Sequence, residues 1–79
     1  MIPLYGFLEG DTLGLLLLAE EDETLGQLAR RLQDSAALRV APFDDPEIRH
    51  RGRALPRDCR VGASGLQALD RVDVVRGGG

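Results

Sequence analysis

The stretch EEDETLGQLARRLQDS, residues 20–35, decides the fold. Leu25, Leu28, Ala29 and Leu32 recur at the i, i+3, i+4 and i+7 spacing that gives a helix one apolar face. Thr24 is a good N-cap, and Gln27, three residues on, completes the pattern of a capping box. The acids at 20–23 sit where the helix dipole favours negative charge. Arg30 and Arg31 fall toward the other side. Gly26 works against the helix by about 1 kcal/mol relative to alanine. The spacing therefore predicts a single amphipathic helix, which must lay its apolar face on something else.

The flanking sequence supplies strands. Upstream, IPLYGFL (residues 2–8) and TLGLLLLA (residues 12–19) are strand-like, with EGD (residues 9–11) as the turn between them. The second run reads as largely buried. Downstream, VAPFDDPE (residues 40–47) carries two prolines and two aspartates and reads as loop. IRHRGRAL (residues 48–55) alternates, with Ile48 inward, the arginines mostly outward and Gly52 turning the chain between two short strands. PRDCRVGASGL (residues 56–66) is irregular, with one short helical turn expected around Ala63. QALDRVDVV (residues 67–75) ends in a strand with Val72 and Val74 on one face and Asp73 and Val75 on the other.

Hairpin, helix, two short strands and a returning strand describe an α+β, β-grasp (ubiquitin-like) arrangement, a mixed sheet with one packed helix. The last strand is expected beside the first, in parallel, because a hairpin alone leaves an open edge and too little buried area. The expected core is Leu4, Leu13, Leu15, Leu17, Leu25, Leu28, Leu32, Ile48, Leu66, Leu69, Val72 and Val74. The expected organisation is one domain over residues 1–75 and a flexible glycine tail over 76–79.

A chain of 79 residues holds at most one domain with a modest core. Its apolar runs are far shorter than the roughly 20 residues that span a bilayer. No signal-peptide pattern opens the sequence, and one cysteine cannot form an internal disulfide, so a cytoplasmic protein is expected, with no membrane partner. Charge is uneven. Residues 1–48 carry three arginines against ten acids, and residues 49–79 carry seven against three. Such a dipolar chain suits docking to proteins and not nucleic acid, which asks for strong overall positive charge. All ten basic residues are arginine.

The local sequence is similar to a known family. GFLEGDTLGLLLLAEEDETLGQLARRL, RVAP, LPRDCRVGASGL and DRVDVV, in that order, resemble the small B-type protein of the toluene monooxygenase system over roughly residues 4–75. The resemblance implies a ubiquitin-like fold. It also implies a non-catalytic subunit of a diiron hydroxylase, the iron ligands belonging to a larger partner subunit.

The family pattern ends at the last strand, whereas here VDVV is followed by RGGG (residues 76–79). A glycine end directly after the last strand resembles ubiquitin-like modifiers. That resemblance implies a conjugation tail of Arg76, Gly77, Gly78 and Gly79. The Gly79 carboxylate would be adenylated, passed to a thiol as a thioester and attached to a target. Glycines have no side chains to clash in a narrow activating-enzyme channel, and Arg76 suits a partner carboxylate. The partners implied are activating and conjugating enzymes, a deconjugating peptidase and protein targets. The bacterial modifier is the first expectation and the small hydroxylase subunit, with the diiron large subunit as partner, is the alternative.

Single residues offer no catalytic set. Cys59 lacks a base beside it in sequence and reads as a half-buried loop cysteine. His50 lacks a second metal-type ligand at useful spacing and reads as solvent-facing. The EEDE run reads as a helix-start and surface feature, and GASG lacks the nucleophile-elbow pattern. No cofactor, metal or enzymatic activity is expected.

Overall fold

The computed structural model describes residues 1–77. Its helix α1 spans Leu25–Ser35 and begins with the capping box the sequence predicts. The Gln27 amide donates to the Thr24 hydroxyl at 3.2 Å, and the Thr24 amide donates to Gln27 Oε1 at 2.9 Å. Leu25, Leu28, Ala29 and Leu32 are buried, as their spacing requires, together with Gln33. Gly26 has a packing reason. Its amide donates to the Arg57 carbonyl at 2.9 Å, and a Cβ there would lie 3.2 Å from that same oxygen. The 56–60 loop thus reaches the helix start at a distance that an alanine would disturb.

Five strands form one mixed sheet: β1 Ile2–Leu8, β2 Gly14–Ala19, β3 Pro46–His50, β4 Arg53–Leu55 and β5 Arg71–Arg76, in the order β2-β1-β5-β3-β4. β1 pairs with β2 antiparallel and with β5 in parallel, the parallel register running from Tyr5–Arg71 to Leu8–Val74. β3 pairs antiparallel with both β5 and β4. The expected return of the last strand beside the first is therefore present, and so is the short helical turn, at Val61–Ala63. Pro3 is tolerated inside β1 because odd positions there face β5. Its carbonyl accepts from Leu69 N–H at 2.6 Å, and its missing N–H lies where β5 has not yet begun.

α1 covers one face of the sheet. Leu4 and Leu8 of β1, Leu17 and Ala19 of β2, Ile48 of β3, and Val72 and Val74 of β5 meet it there, with Leu66. Leu15 is partly buried against this cluster. Leu13 and Leu69, expected inside, are exposed. Leu13 sits in the turn before β2, its amide bonded to Asp11 Oδ1, and Leu69 sits in the turn before β5. Turn geometry overrides apolarity at both. Phe43, from a loop, and Val61, from the short helical turn, fill core positions instead. β2 is also less buried than its sequence implies: Leu17 and Ala19 face the core, while Leu16 and Leu18 point away from it. Among the described residues, no helix is long and apolar enough to cross a membrane.

Candidate interaction surface

The C-terminal end holds the described part of the expected tail. Arg76, expected as its first residue, is the last residue of β5 and pairs with Pro46. Its amide donates to Glu9 Oε1 at 2.9 Å, and its guanidinium lies 4.9 Å from the centre of the Phe43 ring. Gly77 donates its amide to the Asp45 carbonyl at 2.7 Å, and a Cβ on Gly77 would sit 2.5 Å from that oxygen. A side chain at 77 would therefore force the Asp45 segment or the chain end to shift. Asp45 is in turn paired with Arg57 at 2.9 Å. Phe43 is fixed from below, where its amide donates to the buried Gln33 Oε1 at 2.5 Å. Gly78 and Gly79 lie outside the described residues.

The segment after Cys59 runs against the acidic stretch, the Val61 and Gly62 amides donating to the Glu23 and Glu21 carbonyls, both at 2.8 Å. Cys59 is half-buried, its thiol donating to the Arg60 carbonyl at 3.4 Å. His50, expected to face solvent, is mostly covered, with Nε2 3.4 Å from Asp70 Oδ2. The paired β3–β4 turn and the turn before β5 close over it, which its sequence position does not reveal. Among the described residues, no group of three or more His, Cys, Asp or Glu side chains could hold a metal ion. The acidic run at 20–23 does structural work. Glu23 accepts from Arg31 at 2.7 and 2.8 Å, and Arg60 donates to the Asp22 carbonyl at 2.7 Å. The other amine of Arg31 donates to the Leu18 carbonyl at 3.0 Å, capping the outer edge of β2. Across the molecule, Arg39 grips Asp11 with both Nε and Nη2, and that hydrogen bonding holds the Asp11 carboxyl below the ordinary aspartate value.

The face of the sheet opposite α1 divides in two. On β1 and β2 it is apolar: Tyr5 stands opposite Leu16, Pro3 opposite Leu18, and the Phe7 ring lies across Gly14. Tyr5, Leu16 and Leu18 are exposed at 44%, 58% and 49%. On β5 and β3 it is ionic and internally paired, Arg71 with Asp73 at 3.0 Å and Arg49 with Glu47 at 2.6 Å. Arg71 joins the halves, its guanidinium 4.1 Å from the Phe7 ring centre. Beside it lies a shallow depression of about 430 Å³ lined by His50, Arg51, Gly52, Leu69, Asp70, Arg71 and Asp73. Arg51 and Leu69, with φ of 54° and 68°, are the non-glycine residues in the left-handed region among those described.

A five-stranded mixed sheet with a parallel central pair, crossed on one face by a single capped helix, defines a ubiquitin-like β-grasp protein. Within that class the chain belongs to the family described as toluene-4-monooxygenase system protein B (TmoB), whose pattern matches residues 1–75. Among solved structures it is similar to a chain of the toluene 4-monooxygenase HD complex with the inhibitor 4-bromobenzoate. That match has 26% identity and a TM-score of 0.88, and covers 96% of this chain and 98% of the other. It is also similar to a ubiquitin of Caldiarchaeum subterraneum, at 18% identity and a TM-score of 0.76, covering 99% and 95%. A third likeness, to a chain in a study of molecular mimicry of SUMO in DNA repair, has 21% identity and a TM-score of 0.73, covering 94% and 89%. The last two likenesses show the fold alone. No curated protein matches. The family and the fold expected from the sequence are both borne out. The match ends before Arg76, and nothing in these likenesses supports a conjugated glycine tail.

Proposed function

We propose that this chain is the small, non-catalytic subunit of a diiron multicomponent monooxygenase hydroxylase acting on aromatic or alkene substrates, and that its work is to dock on the large subunit that carries the iron. The observation that carries this reading is the match, across residues 1–75, to the toluene-4-monooxygenase B family. The similarity to a chain of a toluene 4-monooxygenase complex supports it along nearly the full length of both chains. The modifier reading draws on residues 76–79 alone, outside that match, and Gly77 already has a packing reason to be glycine.

Co-expression with the diiron large subunit of the same host tests the proposal. The two chains are expected to co-purify in fixed stoichiometry, and removing residues 77–79 is expected to leave the assembly intact. A chain that instead forms a thioester through its terminal carboxylate with an activating enzyme and ATP, and does not join the hydroxylase, would refute it.

A further inference from the structure

The run LLLL at residues 15–18 is apolar on both faces of β2, yet α1 covers only one of them. Strands apolar on both faces belong in sheets that are covered on both sides. Leu16 and Leu18, with Tyr5 opposite Leu16, instead leave neighbouring apolar side chains in water on that face. Leu69 points the same way. It is 57% exposed and held at φ 68°, a conformation that suits glycine and penalises a leucine. More than half of this strained leucine is left in water, within reach of another chain.

We propose that this outer sheet face, from Leu16 and Leu18 across Tyr5 to Leu69, seats a helix of the hydroxylase large subunit, and that a carboxylate beside that helix's apolar face enters the depression at Arg51 and Arg71. The inference rests on the subunit reading above. Three observations fix the occupant. The first is width: the stretch from β2 across β1 to β5 spans two strand spacings, about 10 Å, which is the breadth of one helix. The second is direction of approach. Arg31, braced by Glu23, already occupies the outward carbonyl of Leu18, so a partner settles on the face of β2 and does not add a strand at its edge. The third is charge. In the depression Asp73 is engaged by Arg71 and Asp70 by His50, while Arg51 makes no ion pair among the described residues. Arg51 is exposed, and its guanidinium is the group there that a partner carboxylate can meet.

Binding to the purified diiron large subunit of the same host, measured by calorimetry, tests the assignment. Leu69→Gly is expected to melt at the same temperature as the native chain or higher, yet to bind about tenfold or more weakly. Arg51→Glu is expected to bind more weakly, with the deficit shrinking at high salt. Arg30→Glu, on the exposed side of α1, is expected to bind as the native chain does. Native-like binding by both Leu69→Gly and Arg51→Glu, or loss of binding confined to Arg30→Glu, would overturn the surface while leaving the subunit reading standing. A lower melting temperature for Leu69→Gly would show that Leu69 serves folding and would also overturn it. A native chain that fails to bind the large subunit at all refutes the subunit reading, and this inference with it.

Discussion

Gln33 is the one buried polar side chain among the described residues, and replacing it with leucine gives a sharp test of how the C-terminal end is supported. The substitution keeps the helix and the side-chain volume. It removes the oxygen that accepts the Phe43 amide, beneath a Phe43 that is itself only 8% exposed. An orphaned buried donor costs about 1–3 kcal/mol. The leucine recovers part of that by adding apolar contact, for a net loss of about 1–2 kcal/mol. A domain of this size has roughly 4–12 kcal/mol to lose. At about 4–8 °C per kcal/mol, the expected drop in Tm is about 4–16 °C. The effect should also travel. Phe43 carries the Arg76 guanidinium, and Asp45, two residues on, accepts from Gly77. Amide hydrogen exchange should therefore speed up at Phe43, Arg76 and Gly77 while staying slow at Val72 and Val74 in mid-strand. An unchanged Tm, with the Phe43 amide as protected as before, would show that the loop holds itself and that Gln33 supports nothing.

Three further outcomes are expected. Leu28→Ala empties a fully buried position under the sheet and should cost about 2–5 kcal/mol, read from urea unfolding; native-like stability would move the helix contact elsewhere. Asp11, whose folded pKa lies below the ordinary 3.8 because Arg39 donates to it, contributes stability above that value and loses it as pH falls through the folded pKa. The urea midpoint of the native chain should thus fall further between about pH 5 and pH 2 than that of Asp11→Asn, and parallel curves would remove the pair from the acid response. Gly77→Ala would push a Cβ into the Asp45 carbonyl, so the Gly77–Asp45 hydrogen bond should be lost in exchange measurements while the sheet persists; an intact bond would mean that the 44–46 turn yields freely.

The architecture was legible wherever local chemistry and global fold agree. Thr24 and Gln27 announce the helix start with side chains that bond within one turn. Val72 and Val74 announce a strand by alternation, and the unprotected hairpin edge demands that this strand come back beside β1. Legibility fails where a turn sets the direction of a side chain. Leu13 and Leu69 count as core by apolarity and stand in water because of their backbone positions. Phe43 fails in the opposite sense, buried from a stretch that prolines and aspartates mark as loop. The candidate surface was hidden for a related reason. LLLL reads as a strand inside a protein, and the sequence cannot say that one of its faces is left for another chain. The ties that hold the C-terminal end, Arg76 to Glu9 and Gly77 to Asp45, join residues far apart in sequence and leave no local signature.

The parallel pairing of β1 with β5 has a consequence for biosynthesis. The two strands at the middle of the sheet are the first and the last to be made. Until Val72 and Val74 have emerged from the ribosome, Leu4 and Leu8 have no neighbour on one side, and Ile48 has no strand to join it to the hairpin. The nascent chain can shape its hairpin and helix as it appears, but it cannot close its core before translation of β5 is complete. Closure of this domain therefore waits for the synthesis of β5. A stalled or truncated message yields no partial domain, only a chain with its leucines exposed to the cell's proteases and chaperones.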